Sequence, residues 1–243
     1  MALFNWCNND PIPQQAPLAE LSIQPASHFQ ELAHINRISL LEVHARRHSG
    51  NRPNTAYWEG HPAAYGWVAS REASIGELGL NFNLPPGQRY LWDFATLPKY
   101  RQRGVYARLL QAIVAHEAQE ADCFWIIHAP ENLSSGAGIE RAGFKPAGQL
   151  SFRPDGGIGL QPFDDLARAE AGAALLGVPL IDSILSPCWC CGGLTAQRCG
   201  LEDALACWPP LRPDSFRACS CAAHYPGMRL GHLTQSRSQH LSS

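Results

Sequence analysis

The spacing of apolar and polar side chains predicts an α/β order for the first hundred residues. Residues 18–23 alternate with the period of a half-buried strand. Ser27 stands three residues before Gln30, and Ser39 three before Glu42, so two capping boxes predict consecutive helices that end near residue 47. Strand-like runs follow at residues 55–58, 63–70, near Leu78 and at 89–96.

The second half of the pattern predicts two helices among shorter strands. Aliphatic residues recur at helical spacing over residues 105–120 and form one apolar stripe. A weaker helix at residues 134–142 is capped by Asn132 in front and Gly143 behind. The remaining strand-like runs lie at residues 123–127, 149–153 and 158–161, the last two on either side of a Pro-Asp-Gly-Gly turn.

This order divides the chain into three parts. Residues 1–163 form an α/β domain with a sizeable core. Residues 164–185 are a linker, in which Asp164 and Asp165 cap a helix that Gly177 and Pro179 end. Residues 186–243 form a separate module that is rich in cysteine.

Composition narrows the function classes. The 243 residues carry a net charge of -2 with only two lysines, so nucleic-acid binding is not indicated. No apolar run approaches the ~20 residues that span a bilayer, and the N-terminus does not resemble a signal peptide. We therefore expect a soluble, cytoplasmic protein without a membrane partner. Cys7 and Cys123 stand alone along the sequence.

The other seven cysteines crowd the last quarter of the chain. Cys188 and Cys191 have the C-x-x-C spacing with which a tight turn binds tetrahedral zinc, and any two of Cys219, Cys221 and His224 complete four ligands. The segment has few aliphatic residues, so it needs such a staple to fold. Structural Zn²⁺ is the prediction; an iron–sulfur cluster, or buried and disulfide-linked cysteines, are the alternatives.

Residues 91–106 combine a strand, a tight basic turn and a helix start. Unpaired N–H groups of the first helical turn and the positive end of the helix dipole bind anions, and Gly104 lets the backbone approach closely. Arg101 and Arg103 add positive charge beside the turn. The sequence therefore predicts a phosphate site here, with a solvated turn that merely caps the helix as the alternative.

Residues 101–106 resemble the coenzyme A pyrophosphate loop of the GNAT superfamily, whose pattern is Arg or Gln, two residues, Gly, one residue, then Gly or Ala. Tyr106 departs from that pattern at its last position. Downstream, Asn132 precedes a short helix that ends in Gly-Phe, which resembles a later GNAT motif. The resemblance covers about residues 18–163.

The resemblance implies a mixed central β-sheet flanked by helices, to which the chain adds the small, metal-stapled, Cys-rich module. It also implies that acetyl-CoA binds at a splayed pair of parallel strands, here residues 90–96 and 123–127, with backbone N–H groups near Thr96 facing the thioester oxygen. The residues implied for acetyl-CoA binding are Phe94, Ala95, Thr96, Arg101, Arg103, Gly104, Val105, Tyr106, Asn132 and Ser135.

For catalysis the resemblance implies direct attack of an amine on the thioester, so a base must accept the ammonium proton. Asp93 lies on the strand itself, and His128 ends the neighbouring strand; Glu77 and Glu131 are further titratable groups. An ion pair for Asp93 and a structural role for His128 are the competing interpretations.

The departing thiolate also needs a proton. Where the family often has a proton-donating tyrosine, this chain has Ile139. Ser135 resembles a serine of the branch that acetylates protein N-termini and ribosomal proteins, and is the candidate to hydrogen-bond the sulfur; otherwise it is only the third residue of a capped helix. Tyr100 and Tyr106 are further candidates.

Two functions follow from these residues. The first is an acetyl-CoA-dependent N-acetyltransferase, an acyltransferase whose acceptor is a primary amine on a small molecule or a protein. The second is a binding protein that keeps the fold and an acyl-CoA pocket without effective turnover, and whose Cys-rich tail binds a partner. A homodimer is left open in both.

Overall fold

A computed structural model describes residues 1–182 except 130, 131, 154 and 156. Two compact units are distinguished, and residues 1–150 and 160–182 form the first. Residues 151–159 belong to the second unit, whose other members lie outside the described residues. Within this second unit the Arg153 N–H donates to the Gly157 carbonyl at 2.7 Å. The central sheet and its helices belong to the first.

The described residues form ten strands, eight of them in one mixed sheet. Their bounds are β1 (Ala2–Cys7), β2 (Leu21–Pro25), β3 (Asn51–Trp58), β4 (His61–Ala69), β5 (Glu72–Ile75), β6 (Leu80–Asn83), β7 (Gln88–Thr96), β8 (Cys123–His128), β9 (Lys145–Phe152) and β10 (Ile158–Pro162). The sheet order is β10-β9-β1-β8-β7-β4-β3-β2, while β5 and β6 form a separate hairpin. Strands β7 and β8 are parallel, and β1 and β4 run antiparallel to them.

Within the same part of the chain five helices accompany the strands, and most of their predicted caps are confirmed. The helices are α1 (Phe29–Asn36), α2 (Leu40–His48), α3 (Val105–Glu117), α4 (Leu133–Ala142) and α5 (Leu166–Leu176). Ser39 Oγ accepts from the Glu42 N–H at 3.0 Å, as the second capping box predicts. The first capping box is wrong, because α1 begins after His28 and no side chain caps it.

Helices cover both faces of the sheet. On one face Leu109 and Ile113 of α3 are fully buried in a cluster with Leu91 and Phe124 of the central strands. On the other face α1 and α2 bury their apolar residues around Trp67 of β4. Successive side chains of a strand point to opposite faces, so the two clusters occupy the two sides of one sheet.

Helix α5 covers the same side as α1 and α2. A Cβ at Gly172 of α5 would lie 2.7 Å from Leu3 and 3.2 Å from Trp125, so the helix backbone sits directly on the sheet. Leu3 and Trp125 alternate with Phe4 and Phe124, which face α3. The segment expected to link two domains therefore packs on the sheet through this glycine.

An ion pair ties the end of α3 to the start of β7. Arg89 Nε lies 2.8 Å from Glu117 Oε2, and both side chains are buried. Arg52 of β3 adds a second contact to the same carboxylate at 2.9 Å. A buried carboxylate with two cationic partners is satisfied, so α3 is held at its C-terminal end as well as by its apolar stripe.

Strand β1 is not predicted by the sequence pattern, yet it lies inside the sheet. It pairs with β8 on one edge and β9 on the other. Cys7 lies directly opposite Cys123, and a disulfide joins them. The two cysteines, which stand alone along the sequence and are 116 positions apart, are therefore neighbours in the sheet.

Other differences concern strand extent. Strand β3 starts at Asn51 and β9 at Lys145, each four residues before the predicted start. The single strand expected near Leu78 is instead a hairpin, β5–β6, around a short 3-10 turn at Gly76–Leu78. None of the described helices combines the length and apolar character that crossing a bilayer requires.

Candidate active site

The parallel strands β7 and β8 separate where the site was expected. Their pairing ends with Leu91 opposite Ile126. Strand β7 nevertheless continues to Thr96 and β8 to His128. Beyond this last pair the two strands therefore leave a gap. The backbone N–H and C=O groups along its edges are not hydrogen-bonded from one strand to the other.

A β-bulge in β7 accompanies this separation. Tyr65 of β4 pairs with Ala95, but Trp67, two residues on, pairs with Trp92. Two residues of β7 therefore stand opposite one of β4. Asp93, the first of the two, has a φ of +51° in the left-handed region, which is uncommon for a residue other than glycine and bends the strand locally.

The Asp93 side chain is held by groups from α1 and α2. Its Oδ2 lies 2.6 Å from Arg46 Nη1 and accepts from Asn36 Nδ2 at 3.2 Å. The Asn36 Oδ1 in turn accepts from the Trp67 indole at 2.8 Å. The Arg46 guanidinium also lies 4.7 Å from the Trp92 ring centroid. Asp93 is therefore engaged in a partly buried network on the face away from α3.

Two aromatic rings fill the other face of the bulge. A Cβ at Gly66 would lie 2.0 Å from the Phe94 ring, so the missing side chain makes room for it. The Phe94 ring meets Tyr106 edge-on, with centroids 5.7 Å apart. A Cβ at Gly138 of α4 would lie 2.4 Å from the Tyr106 ring. Each ring thus occupies space that a glycine leaves.

The backbone beside the gap offers an oxyanion donor. The Leu97 N–H donates to the Ala63 carbonyl at 2.8 Å, on the β4 side of the strand. Because alternate residues of a strand turn their N–H groups to opposite edges, the Thr96 N–H points toward β8 and the gap. The Thr96 carbonyl accepts from Arg101 Nε at 3.1 Å, which places that cation next to the gap.

The predicted basic turn leads directly into α3. Gly104 is the residue before the helix, with a φ of +71° and no capping side chain. The first helical bond runs from the Arg108 N–H to the Gly104 carbonyl, so the N–H groups of residues 105–107 have no intrahelical partner. Arg103 stacks over Trp58 at 5.0 Å from the ring centroid. These are the features that an anion site at a helix N-terminus requires.

Arg108 is a cation of this region that the sequence pattern did not single out. Its Nη1 donates to the Gly104 carbonyl at 3.2 Å and its Nη2 to the Ala16 carbonyl at 2.6 Å. A Cβ at Gly104 would lie 2.5 Å from Arg108 Nη1. An arginine four residues into a helix has no distinctive sequence signal, so its contact with Gly104 emerges only from the structure.

Helix α4 presents Ser135 toward α3. Asn132 Oδ1 accepts from the Ser135 N–H at 3.1 Å and from Ser134 Oγ at 3.0 Å, which confirms Asn132 as the cap. The Ser135 hydroxyl lies 3.2 Å from the Tyr106 hydroxyl. Ser135 is thus a capped first-turn residue and also carries a hydroxyl into the space between the helices. Ile139, by contrast, is fully buried in the core.

His128 ends β8 beside α4. Its Nδ1 lies 2.9 Å from the Ala129 carbonyl, which can only accept, so Nδ1 carries the proton and Nε2 has the free lone pair. A Cβ added to Gly136 of α4 would lie 3.0 Å from Nε2. Burial lowers the pKa of His128 below 6.5; the Ala129 contact opposes this, and the Met1 ammonium adds to it. The ring is therefore neutral near pH 7.

Some predicted residues are not brought to this place. Glu77 lies in the turn between β5 and β6, and Glu131 lies outside the described residues. Within the described part of the chain no three His, Cys, Asp or Glu side chains come together as a metal site. The predicted zinc ligands lie outside that part and stay a prediction; they are Cys188, Cys191, Cys219, Cys221 and His224.

A polar cleft lies on the α1–α2 side of the sheet. Its volume is about 500 Å³, and Asn51 of β3, Trp92 of β7 and the β5–β6 hairpin line it. Glu72 is the one charged lining residue, and the hairpin adds the hydroxyl of Ser74 and two asparagines. The Trp92 indole donates to Asn51 Oδ1 at 2.9 Å, which fixes the ring.

Comparison with known proteins identifies the family. The model of the acetyltransferase (GNAT) family matches residues 22–144, just over half of the 243-residue chain. The chain therefore belongs to the GNAT acetyltransferase family. No curated protein matches the chain at a significant level.

Solved structures are similar at low identity. The GCN5-related N-acetyltransferase from Kribbella flavida is 15% identical at a TM-score of 0.39, over 60% of this chain and 53% of its own. The ribosomal-protein-S18-alanine N-acetyltransferase from Escherichia coli is 15% identical at 0.42, over 54% and 81%. AAC(6')-Iy, solved with a bisubstrate analogue, is 15% identical at 0.43, over 56% and 97%. This chain spans about half of the Kribbella flavida protein.

The Asp93 network generates a stability prediction. Replacing Arg46 by Met leaves a partly buried carboxylate without its cation, which we expect to lower the free energy of unfolding by about 3 kcal/mol. Arg47→Met, next to it on the exposed side of α2, removes only a contact with Phe29 and should cost less than about 1 kcal/mol. Urea unfolding measures both. Equal losses in the two variants would show that Asp93 does not depend on Arg46.

Proposed function

We propose that this protein is an N-acetyltransferase that moves an acetyl group from acetyl-CoA to a primary amine by direct attack in a ternary complex. One observation carries the proposal: the gap between β7 and β8 is followed along the chain by a left-handed glycine at the start of α3. A thioester needs an oxyanion donor, and its diphosphate needs an anion site. The gap with its oxyanion donor and the anion site at the start of α3 lie on one segment of the chain, in the order that the sequence predicts.

The residues that fit acetyl-CoA come from β7, α3 and α4. The free first-turn N–H groups of α3 suit the diphosphate, with Arg101 and Arg103 as nearby cations. The gap beside Phe94, Ala95 and Thr96 suits the pantetheine arm and the thioester. Asn132 and Ser135, which are joined at the start of α4, are proposed to border it. The left-handed Gly104, at which an added Cβ would meet the Arg108 guanidinium, supports this assignment.

Chemistry at this site requires little beyond positioning. The amine nitrogen forms a bond to the acetyl carbon, and the Thr96 N–H stabilises the oxygen as it becomes negative. The C–S bond then breaks, and the nitrogen loses a proton to a base. No cysteine takes part in this proposal, because Cys123 is joined to Cys7 at the opposite end of β8 from His128.

Of the two described bases predicted at the strands, we propose His128 rather than Asp93. The Asp93 carboxylate is engaged with Arg46 and Asn36. His128 is neutral near pH 7 and directs an unprotonated Nε2 toward α4 at the open end of β8. A neutral imidazole with a free lone pair is ready to accept the ammonium proton through water in the gap.

The acceptor amine is proposed to arrive from the face that holds the polar cleft. Trp92, in the cleft wall, directly follows Leu91, the last β7 residue paired with β8. The cleft wall therefore includes the side chain of the first β7 residue beyond the last pair with β8. With Glu72 as its only charge among hydroxyl and amide groups, it suits a cationic, hydroxylated amine.

A second function has its own supporting observation. The Phe94 and Tyr106 rings occupy the side of the gap that faces α3 and α4, and Ile139 supplies no hydroxyl. A protein with this arrangement could bind an acyl-CoA without turning it over. Its Cys-rich tail would then bind a partner, as in the second function that the sequence suggests.

Turnover separates the two functions. Release of coenzyme A from acetyl-CoA is measured against hydroxylated amines, polyamines and peptides with free N-termini, with product masses recorded. The acetyltransferase predicts that one class raises release above the amine-free background and gains an acetyl group. Tight acetyl-CoA binding with no acetylated product in any class would favour the binding protein.

The anion site is tested at Gly104. Gly104→Ala adds a Cβ that displaces the Arg108 guanidinium and strains the turn before the free N–H groups, and we expect acetyl-CoA affinity to fall about tenfold or more. Gly177→Ala is the matched control, since Gly177 has a similar φ of +65° but nothing within 4 Å of an added Cβ. Both lose stability through backbone strain. Calorimetry with unchanged affinity in Gly104→Ala would remove the phosphate site from this turn.

The base is tested by pH dependence. His128 has a pKa below 6.5, so kcat/KM should be level near pH 7 and fall only as the pH drops through that lowered value. His128→Gln should remove this acidic limb and lower kcat at least about a hundredfold. His116→Gln, on the exposed side of α3, is the control. An unchanged pH profile in His128→Gln would assign the base to another group.

A further inference from the structure

The disulfide between Cys7 and Cys123 closes one end of the strand pair β1–β8. Cys7 is the last residue of β1 and Cys123 the first of β8, so the bond lies at the end away from His128. Cys7 is half-buried, whereas Cys123 is buried. Of the two residues, Cys7 is therefore the one that a small molecule from solvent reaches more easily.

A buried amide group faces both sulfur atoms. Asn5 lies two residues before Cys7, on the same face of β1, and is 2% exposed. Its Nδ2 donates to Cys7 Sγ at 3.5 Å and to Cys123 Sγ at 3.7 Å. Its Oδ1 accepts from Arg168 Nη1 of α5, and this cation polarises the amide. A thiolate on either cysteine would therefore meet a hydrogen-bond donor.

The same arginine neutralises the nearest carboxylate. Arg168 donates to both oxygens of Asp10, from Nη1 to Oδ2 at 3.0 Å and from Nη2 to Oδ1 at 2.9 Å. Asp10 Oδ2 also accepts from the Cys7 N–H at 2.9 Å. The guanidinium thereby offsets a negative charge that would otherwise disfavour a thiolate on Cys7.

These surroundings suit a disulfide that exchanges with other thiols. Exchange is faster when the departing sulfur is stabilised as a thiolate, and here the Asn5 amide faces that sulfur. The accessible Cys7 next to the buried Cys123 gives the attack a direction. In the cytoplasm, where the sequence predicts this protein, most disulfides are transient or redox-sensing.

We propose that Cys7 and Cys123 form a reversible redox site that reacts with small thiols of the glutathione type and that locks β1 to β8 when oxidised. The bond joins residues 116 positions apart, so its loss frees a long loop of the unfolded chain and lowers the stability of the folded one. The inference does not depend on the proposed acetyltransferase function, because no residue of this site takes part in it.

The exchange balances in electrons and protons. A small thiolate attacks Cys7 Sγ, and the S–S bond breaks with its electron pair on Cys123 Sγ. A second small thiolate attacks the sulfur now attached to Cys7, which releases Cys7 and forms the small-molecule disulfide. Two small thiols have then given two electrons to the protein, and their two protons end on Cys7 and Cys123. Excess small-molecule disulfide reverses both steps.

The site is tested in the full-length protein without denaturant. After equilibration in buffers of different reduced-to-oxidised glutathione ratio, free and disulfide-bonded thiols are alkylated with reagents of different mass. Peptide mass spectrometry then reports Cys7 and Cys123 apart from the seven cysteines nearer the C-terminus. We expect the two to change together, from a disulfide in oxidised glutathione to thiols in millimolar reduced glutathione.

The lock is tested by thermal unfolding. The oxidised protein should melt roughly 10 °C above the reduced protein, because the bond restricts the unfolded chain. Cys7→Ser should remove this difference, which separates the effect of this bond from that of the other cysteines. Equal melting temperatures of the oxidised and reduced unmodified protein would overturn the lock.

Variants assign the roles of the three residues. Asn5→Leu removes the donor and should slow reduction by glutathione about tenfold. Asn54→Leu is the matched control, since Asn54 is as buried as Asn5 but lies on β3, which pairs with neither β1 nor β8. In oxidised glutathione, Cys123→Ser should accumulate a glutathione adduct at Cys7, and Cys7→Ser should form far less at Cys123.

Other results would overturn the inference. A bond that reduced glutathione opens only after urea is added would be a structural disulfide. Thiols at Cys7 and Cys123 in every buffer would show that the bond does not form in solution. Equal reduction rates in Asn5→Leu and Asn54→Leu would remove the amide from the mechanism. If Asn5→Leu does not fold, equal adducts at the two cysteines would still contradict the proposed direction of attack.

Discussion

The structure depends on a single residue held in a left-handed conformation within a strand. Asp93 would relax to an ordinary extended geometry, at a gain on the order of 1 kcal/mol, if nothing held it. Arg46 and Asn36 hold it through short contacts to its carboxylate. The bulge that results accompanies the divergence of β7 from β8, and it aims the Thr96 N–H at the gap. Helices α1 and α2, which carry no predicted coenzyme contact, thereby set the geometry on which the site relies.

On the α3 side of the sheet, glycines leave the space that large aromatic side chains occupy. Gly66 admits the Phe94 ring, and Gly138 admits the ring of Tyr106. A tyrosine at the last position of the phosphate-loop pattern would clash with a side chain on α4, so the glycine there compensates for it. The bulky Tyr106 lies on α3 and the compensating Gly138 lies on α4, so each residue is understood only together with the other. The α3 side of the gap is consequently walled by the Phe94 and Tyr106 rings.

The sequence predicted features whose partners lie within a few residues. Asn132 and Ser39 were identifiable as caps because each bonds an N–H three residues on. Gly104 was identifiable for the same reason, since strand, turn and helix adjoin. The Asp93–Arg46 contact joins residues 47 positions apart, and no local period encodes it. Strand β1 and the cleft at the β5–β6 hairpin escaped prediction likewise, because register between distant strands depends on the whole sheet.

The position of β1 has a consequence for how the chain folds. The residue pair Cys7 and Cys123 is separated by 116 positions, and the Met1 amine bonds the Leu150 carbonyl across 149. Sequence-distant pairings form late because loop closure must precede them. While β1 is unpaired, β8 and β9 each expose unpaired backbone N–H and C=O groups along an edge that lies inside the finished sheet. An intermediate with such an interior slot can accept the equivalent strand of a second molecule, so exchange of β1 between chains competes with correct closure.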